Sequence, residues 1–347
     1  MTIARHIILC GFGNVGRAFA RLIASKRDDL AARYDLDLRL KAVVDIGGAA
    51  VAGADGLPPA RLVDFVEAGG AVEAFERCGR PGLTALELLA GADGGILVET
   101  TPTDLKDAEP ARSHFLAAIE NGVDIIAANK GPLVRDYRRI LDRAREKGVR
   151  IRFSAATAAA LPTLDVGQLC TAGARIEAIE GILNGTTNYI LTRMAREGCA
   201  YEDALRDAQA LGIAETDPTL DVEGFDTRNK IVVIANTLFD LALDPDAVET
   251  VGITGVTPDD MAAAQAAGQV IKLVGAARMT ANGPVVKVAP EALPADHPLA
   301  SVHLSEKGIS YDTDTMGRIT VTGGHSSPTG AAAAMLKDII HMVKLGI

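Results

Sequence analysis

Residues 7–16 read Ile7-Ile8-Leu9-Cys10-Gly11-Phe12-Gly13-Asn14-Val15-Gly16, a short apolar run closed by a complete G-x-G-x-x-G. The run predicts a strand, and a helix is expected from about Val15 to Ala32. In that setting Gly11 permits a tight turn, Gly13 lets the backbone approach a pyrophosphate, and Gly16 lets helix pack on strand. N–H groups left unpaired at the helix start then face the anion. Outside that setting the same glycines would mark only a tight turn. The flanking strand and helix make Gly11, Phe12, Gly13, Asn14, Val15 and Gly16 a candidate dinucleotide cradle.

Further strands are expected at 40–45, 95–99, 123–127 and 149–153, with helices near 112–121 and 136–147, the latter ended by Gly148. Strands alternating with helices of this length imply βαβ crossovers and a largely parallel sheet, an α/β fold with a Rossmann-type nucleotide-binding domain over 1–150. The Gly-, Ala- and Pro-rich stretch 47–82 reads as an insertion with one or two poorly formed helices. After Ala160-Leu161-Pro162 the rhythm changes. Strand-like segments at 176–183, 249–253, 270–279 and 285–288 mix with helices near 187–196, 201–211 and 228–241. This predicts a second, α+β domain with a mixed sheet over 151–314, for catalysis and oligomerisation. The Ala-rich tail carries Met335, Ile339 and Met342 at helical spacing, so the segment 315–347 is expected to return and complete the first domain.

The 347 residues suffice for about two domains, and 48% of them are hydrophobic. A formal charge of −10 opposes the basic footprint a nucleic-acid binder needs, and 4% aromatics with no Trp leave little for base stacking. A local basic pocket for a small anion stays compatible with that total. No apolar stretch reaches the roughly 20 residues that span a bilayer, and the first apolar run is too short for a secretory signal. The expectation is a cytoplasmic protein without membrane or nucleic-acid partners. Four separated cysteines read as buried free thiols, and six histidines in no H-x-H or H-E-x-x-H spacing show no metal site.

Asp45 closes the second strand, where a carboxylate accepts from ribose hydroxyls and repels a 2′-phosphate. No Arg or Lys follows through residue 60 to hold such a phosphate, so NAD is favoured and NADP stays open. Thr100 and Thr101, just past the third strand, join the cofactor candidates. Lys130, in Ala127-Ala128-Asn129-Lys130-Gly131-Pro132-Leu133, lies beyond a strand's carboxyl end, where open α/β sheets bind ligands. In Gly181-Ile182-Leu183-Asn184-Gly185-Thr186-Thr187-Asn188-Tyr189 a strand gives way to a Thr-capped helix that can face a small carboxylate. A third cluster, 214–230, crowds Glu215, Asp217, Asp221, Glu223, Asp226 and Lys230 ahead of an apolar helix. Asp226 and Lys230 share a helix face.

These clusters resemble the homoserine dehydrogenase family, from the glycine loop nearly to the C-terminus. The most specific pieces are ANKGPL, GILNGTTNYIL, the run E-T-D-P-x-x-D-V-E-G-F-D-x-x-x-K, and the tail TGGHSSPTGAAAAMLKDI. The resemblance implies a short form, without an aspartokinase or a C-terminal regulatory domain. It implies reversible hydride transfer between aspartate 4-semialdehyde plus NAD(P)H and L-homoserine plus NAD(P)⁺, a step of threonine and methionine biosynthesis. By motif position Lys230 matches the principal catalytic lysine and Lys130 the second, which also touches cofactor. Glu215, Asp221 and Asp226 match acidic substrate residues, while Asn184, Gly185 and Thr186 fall on the substrate loop. A homo-oligomer, dimer or tetramer, is also implied.

The sequence departs from that pattern once. The resemblance implies that relatives usually carry a glutamate and paired glycines in the segment aligned with 154–162, a region that holds a monovalent cation by backbone carbonyls. Ser154, Ala159 and Ala160 stand there instead, which counts against the cation and leaves room for a divergent substrate. Two other readings remain: a dehydrogenase of another small amino-acid-like alcohol, and a dinucleotide-binding sensor without turnover.

Overall fold

β1 (Ile3–Cys10) forms the middle of a seven-stranded sheet because its last four residues, Ile7 to Cys10, are apolar and buried. The computed structural model describes residues 2–346 apart from Ala54 and His325; Met1, Ala54, His325 and Ile347, of which His325 belongs to the motif-bearing tail, lie outside the described residues. The sheet continues with β2 (Leu36–Asp45), β3 (Gly48–Val51), β4 (Gly79–Pro81), β5 (Ile96–Glu99), β6 (Asp124–Ala127) and β7 (Ile151–Arg152). Its order is β4-β3-β2-β1-β5-β6-β7, parallel from β2 to β7 and antiparallel at β3 and β4. The chain steps from β1 to β2 on one side and from β5 to β6 on the other. That reversal puts the switch point, where such sheets bind ligands, at the carboxyl ends of β1 and β5.

The helix Asn14–Ser25 buries Gly16, Phe19, Ala20 and Ile23 as one stripe. The single helix expected over 15–32 is two, since Lys26 leaves helical geometry and Arg27–Tyr34 starts afresh with Asp28 and Asp29 in its first turn. Acidic side chains there suit a new helix N-terminus. The stretch 47–82 is also more ordered than its composition suggests. It supplies β3, β4 and the helix Pro59–Glu67, and sends Leu62, Val63, Val72 and Phe75 into the core. Ala49 and Ala50 have little intrinsic strand preference; pairing with β2 decides their conformation.

The chain divides into two units, Met1–Ala159 with Ser327–Ile347, and Ala160–Ser326. The first therefore runs beyond residue 150, because the short helix Ser154–Ala158 packs on the returning helix Pro328–Ile340. The return itself starts at Ser327 rather than 315, because the preceding residues belong to strands of the second unit. Ala332, Met335, Leu336, Ile339 and Met342 share a core with Phe19 and Ile23.

The second unit holds β8 (Ile176–Ile182), β9 (Glu249–Thr250), β10 (Gln269–Thr280), β11 (Gly283–Pro294), β12 (Lys307–Thr313) and β13 (Gly317–Gly323), in the order β13-β12-β8-β10-β11-β9. Only β9 with β11 is parallel, so the sheet is mixed. The β12–β13 hairpin was not expected. Its strand Lys-Gly-Ile-Ser-Tyr-Asp-Thr looks polar, yet it is mostly buried, and Ser310 satisfies its hydroxyl on Thr320 at 2.7 Å. The four cysteines are free as expected, but only Cys10 is buried. Among the described residues no helix is long and apolar enough to cross a membrane.

Candidate active site

A cavity of about 700 Å³ opens in the first unit where β1, β2 and β5 end. Gly11, Phe12, Gly13, Asn14, Val15, Asp45, Thr100 and Thr101 line it. Each glycine has a separate reason. Gly11 has φ +85°, and a Cβ there would lie 2.6 Å from the Thr101 nitrogen. Gly16 is behind the loop, where a Cβ would lie 2.2 Å from the Gly11 carbonyl oxygen. Gly13 has nothing within 4 Å of its Cβ position, leaving the open approach a phosphate requires. The Thr100 hydroxyl donates to the Gly11 carbonyl at 2.7 Å and fixes the turn. These features fit a bound dinucleotide.

Arg17 also lines this cavity and was not singled out from the sequence. Its guanidinium donates to the Phe12 carbonyl at 3.1 Å and to Asn14 Oδ1 at 2.9 Å, with Glu67 at 3.8 Å. It braces the glycine loop. No signal outside the helix pattern marks it, because a basic residue one turn past a glycine loop is ordinary on a helix surface.

Below the cavity, Glu99 is fully buried at the end of β5. Its Oε1 accepts from the Thr101 N–H at 2.9 Å and from the Thr101 hydroxyl, and Oε2 lies 2.7 Å from His114 Nδ1. Cys10, Glu99 and His114 place ligand atoms within 4.8 Å of one another, the spacing of a three-ligand metal site. Both Glu99 oxygens are already engaged, however, and burial followed by the Glu99 charge raises the Cys10 thiol well above its ordinary value. A metal needs the thiolate, so this cluster reads as a hydrogen-bonded support. Asn129 extends it, donating to the Thr101 and Pro102 carbonyls at 3.0 Å and accepting from Gly131 N–H at 2.9 Å. Lys130 thus stands on a loop stapled to the end of β5, with its own N–H 3.4 Å from Thr103 Oγ1. It is not among the residues lining the cavity.

In the second unit, Asn184 at the start of the helix Gly185–Glu197, Asp221 on the short helix Thr219–Val222, and Asp226 and Lys230 on the helix Phe225–Leu238 come together. Lys230 Nζ donates to Asp226 Oδ2 at 2.5 Å and to the Leu183 carbonyl at 2.9 Å. Asn184 caps its helix, accepting from Thr187 N–H at 2.9 Å. Its amide then donates to Asp226 at 2.9 Å and Asp221 at 2.7 Å. Gly185 is required because a Cβ would lie 2.8 Å from the Ser305 carbonyl oxygen. The buried Thr186 hydroxyl donates to the Ile213 carbonyl at 3.1 Å.

The remaining acids of the 214–230 run lie elsewhere. Glu215 is exposed, and among the described residues only its carbonyl is used, by Gln209 at 3.1 Å. Asp217 caps its own turn through Thr219, and Glu223 lines a separate cavity of about 730 Å³ beside residues 250–256. The short helix Thr219–Val222 and the Gly224 turn (φ +82°) separate these side chains from the lysine. One neighbour escaped the sequence reading. Gly308 pairs with Ile182, which sets the buried Lys307 beside Leu183, whose carbonyl holds Lys230. Burial first, and then the Lys230 charge, push the Lys307 ammonium down to about 8. The polar look of β12 hid this position.

Comparison with known proteins gives two consecutive family matches. The homoserine dehydrogenase family profile matches residues 162–340, and the profile described as homoserine dehydrogenase, NAD binding domain, matches residues 11–154. The chain is 36% identical to the homoserine dehydrogenase of Methanocaldococcus jannaschii over 97% of its length and 98% of the relative's. It is 36% identical to the NAD(+)-dependent homoserine dehydrogenase of Pseudomonas canavaninivorans, over 97% and 95%. Among solved structures it is similar to a putative homoserine dehydrogenase of Archaeoglobus fulgidus, with TM-score 0.86, 30% identity, and 98% and 99% of the two chains covered. With the motifs and the profiles agreeing along nearly the whole chain, the protein belongs to the homoserine dehydrogenase family.

Proposed function

We propose that the protein interconverts aspartate 4-semialdehyde and L-homoserine with NAD(H) as its preferred cofactor, and that Lys230 is its proton-transferring lysine. The observation that carries this is the clamp on Lys230, whose Nζ is held by Asp226 and the Leu183 carbonyl on a mostly buried helix face. A bound nicotinamide supplies or accepts the hydride. Reduction of the aldehyde builds negative charge on its oxygen, and the Lys230 ammonium is suited to stabilise that charge and deliver a proton to it. In the oxidative direction the same nitrogen takes the hydroxyl proton. Asp221, tied to Asn184 through Oδ1, is the carboxylate suited to the substrate ammonium. Lys130 and Glu215 are assigned to the reacting oxygen and the substrate on motif position. Assembly as a homo-oligomer and a cytoplasmic location belong to the same reading and rest on the resemblance.

Cofactor preference rests on Asp45. With a carboxylate lining the cavity and the Arg17 guanidinium occupied by the glycine loop, a 2′-phosphate meets repulsion without compensation. Steady-state rates with aspartate semialdehyde should give a higher kcat/KM for NADH than for NADPH. Asp45→Asn should narrow that ratio about tenfold, the worth of one hydrogen bond to a charged group. A wild-type preference for NADPH would overturn the assignment.

The residues at 154 do not fit a monovalent cation. Ser154 donates its N–H and hydroxyl to Asp338 at 2.8 and 2.7 Å, and the Lys337 ammonium lies 3.1 Å from the same hydroxyl. Arg152 Nε stands 3.5 Å from Asp338, so the local positive charge is built in. Replacing Na⁺ and K⁺ with tetramethylammonium at constant ionic strength should leave turnover unchanged. Collapse of the rate in that buffer would restore the cation.

A further inference from the structure

A buried carboxylate is costly unless donors converge on it, and Glu99 collects three: the Thr101 N–H, the Thr101 hydroxyl and the His114 ring. An ionised carboxylate only accepts, so in a neutral imidazole facing it through Nδ1 the proton sits on Nδ1. Nε2 is then left as an acceptor. That atom makes no hydrogen bond among the described residues and is not sealed from solvent, and His114 is one of the residues lining the dinucleotide cavity, as are Thr101 and Pro102.

We propose that Glu99 fixes His114 as the Nδ1–H tautomer so that Nε2 accepts a hydrogen bond from the bound dinucleotide, making His114 a cofactor-binding residue and Glu99 its positioning residue. The partner must be a hydrogen-bond donor, and a dinucleotide offers the adenine amino group, the ribose hydroxyls and the carboxamide N–H₂. Through Thr101 the same carboxylate shapes the turn that touches Gly11, so one buried charge orders two walls of the cavity. The inference rests on the cavity being the NAD(H) site. Failure of the wild type to bind NADH would remove that reading itself, independently of the tautomer.

The test is ¹H–¹⁵N spectroscopy of the full-length, histidine-labelled protein at mildly alkaline pH, with NADH as the probe. The expected result is the Nδ1–H tautomer, with the Nε2 resonance shifting as NADH saturates. An Nε2–H tautomer, an imidazolium, or an Nε2 resonance that ignores saturating NADH would overturn the proposal. His114→Phe, which keeps the ring volume, should raise the NADH Kd about tenfold, the worth of one such bond. Glu99→Gln should weaken NADH binding as well, because an amide can donate to Nδ1 and release the tautomer. His114→Phe should leave the KM for aspartate semialdehyde unchanged. Unaltered Kd in either folded variant counts against the proposal. Reduced hypoxanthine and 3-acetylpyridine analogues, lacking the adenine amino group and the carboxamide N–H₂ respectively, locate the donor. The analogue that wild type and His114→Phe bind equally lacks it, and a difference that persists with both analogues assigns a ribose hydroxyl.

Discussion

Lys230→Met is expected to lower kcat by about 10²–10³, the usual loss when a donor to a developing oxyanion is removed, while NADH binding stays at the wild-type level. The separation follows from where the residue sits. Lys230 lies in the second unit, on the helix Phe225–Leu238, whereas the glycine cradle is wholly within the first. Its Nζ is held at two points, Asp226 Oδ2 and the Leu183 carbonyl, so the ammonium is oriented before substrate arrives. Catalysis by a preorganised charge needs that orientation, because reorganising it during the reaction would cost much of the benefit. Asp226→Asn is the companion variant. It keeps the shape and removes the anchoring charge, so kcat should fall less than in Lys230→Met while the KM for homoserine rises. Stopped-flow NADH titration and steady-state kinetics read both effects. Near-normal kcat in Lys230→Met would sink the assignment.

The second large effect separates the three glycines. Gly16→Ala puts a methyl carbon 2.2 Å from the Gly11 carbonyl oxygen, a backbone atom that cannot move without the loop. Gly11→Ala adds a left-handed residue, costing roughly 1–2 kcal/mol, to a contact of 2.6 Å with the Thr101 nitrogen. Both variants should lower Tm by several degrees and lose NADH affinity. Gly13→Ala should behave differently, since its Cβ meets nothing within 4 Å. Its Tm should match the wild type while NADH binding falls about tenfold or more, because the new methyl occupies space needed for close approach of the pyrophosphate. Thermal melts beside fluorescence titrations decide this. Wild-type NADH affinity in Gly13→Ala would show that the ligand does not pass over the loop as assigned.

Local patterns were readable where one element sufficed. The apolar run 7–10 and the glycines after it could be assigned because strand, turn and helix start are contiguous, and Asp226 with Lys230 because helical spacing puts residues four apart on one face. Patterns that depend on a distant partner were not readable. Ala49 and Ala50 become strand only against β2, and Lys307 becomes part of the lysine cluster only because β12 pairs with β8. A helix boundary at Lys26 and the exposed position of Glu215 likewise depend on packing and loop path rather than residue type.

By itself the sequence determined the α/β character of the first unit, the family, the dinucleotide loop and the residue types of the lysine and carboxylate cluster. Those follow from short-range periodicity and spacing, which survive in a one-dimensional string. Tertiary structure alone decided that Asn184 meets Asp221 and Asp226 beside Lys230, that Ser154 binds Asp338 on the returning helix, and that Glu99 faces His114. Each of these contacts joins side chains from different elements. Their chemistry depends on angstrom-scale placement and burial, which strand pairing and helix packing set and no local pattern encodes.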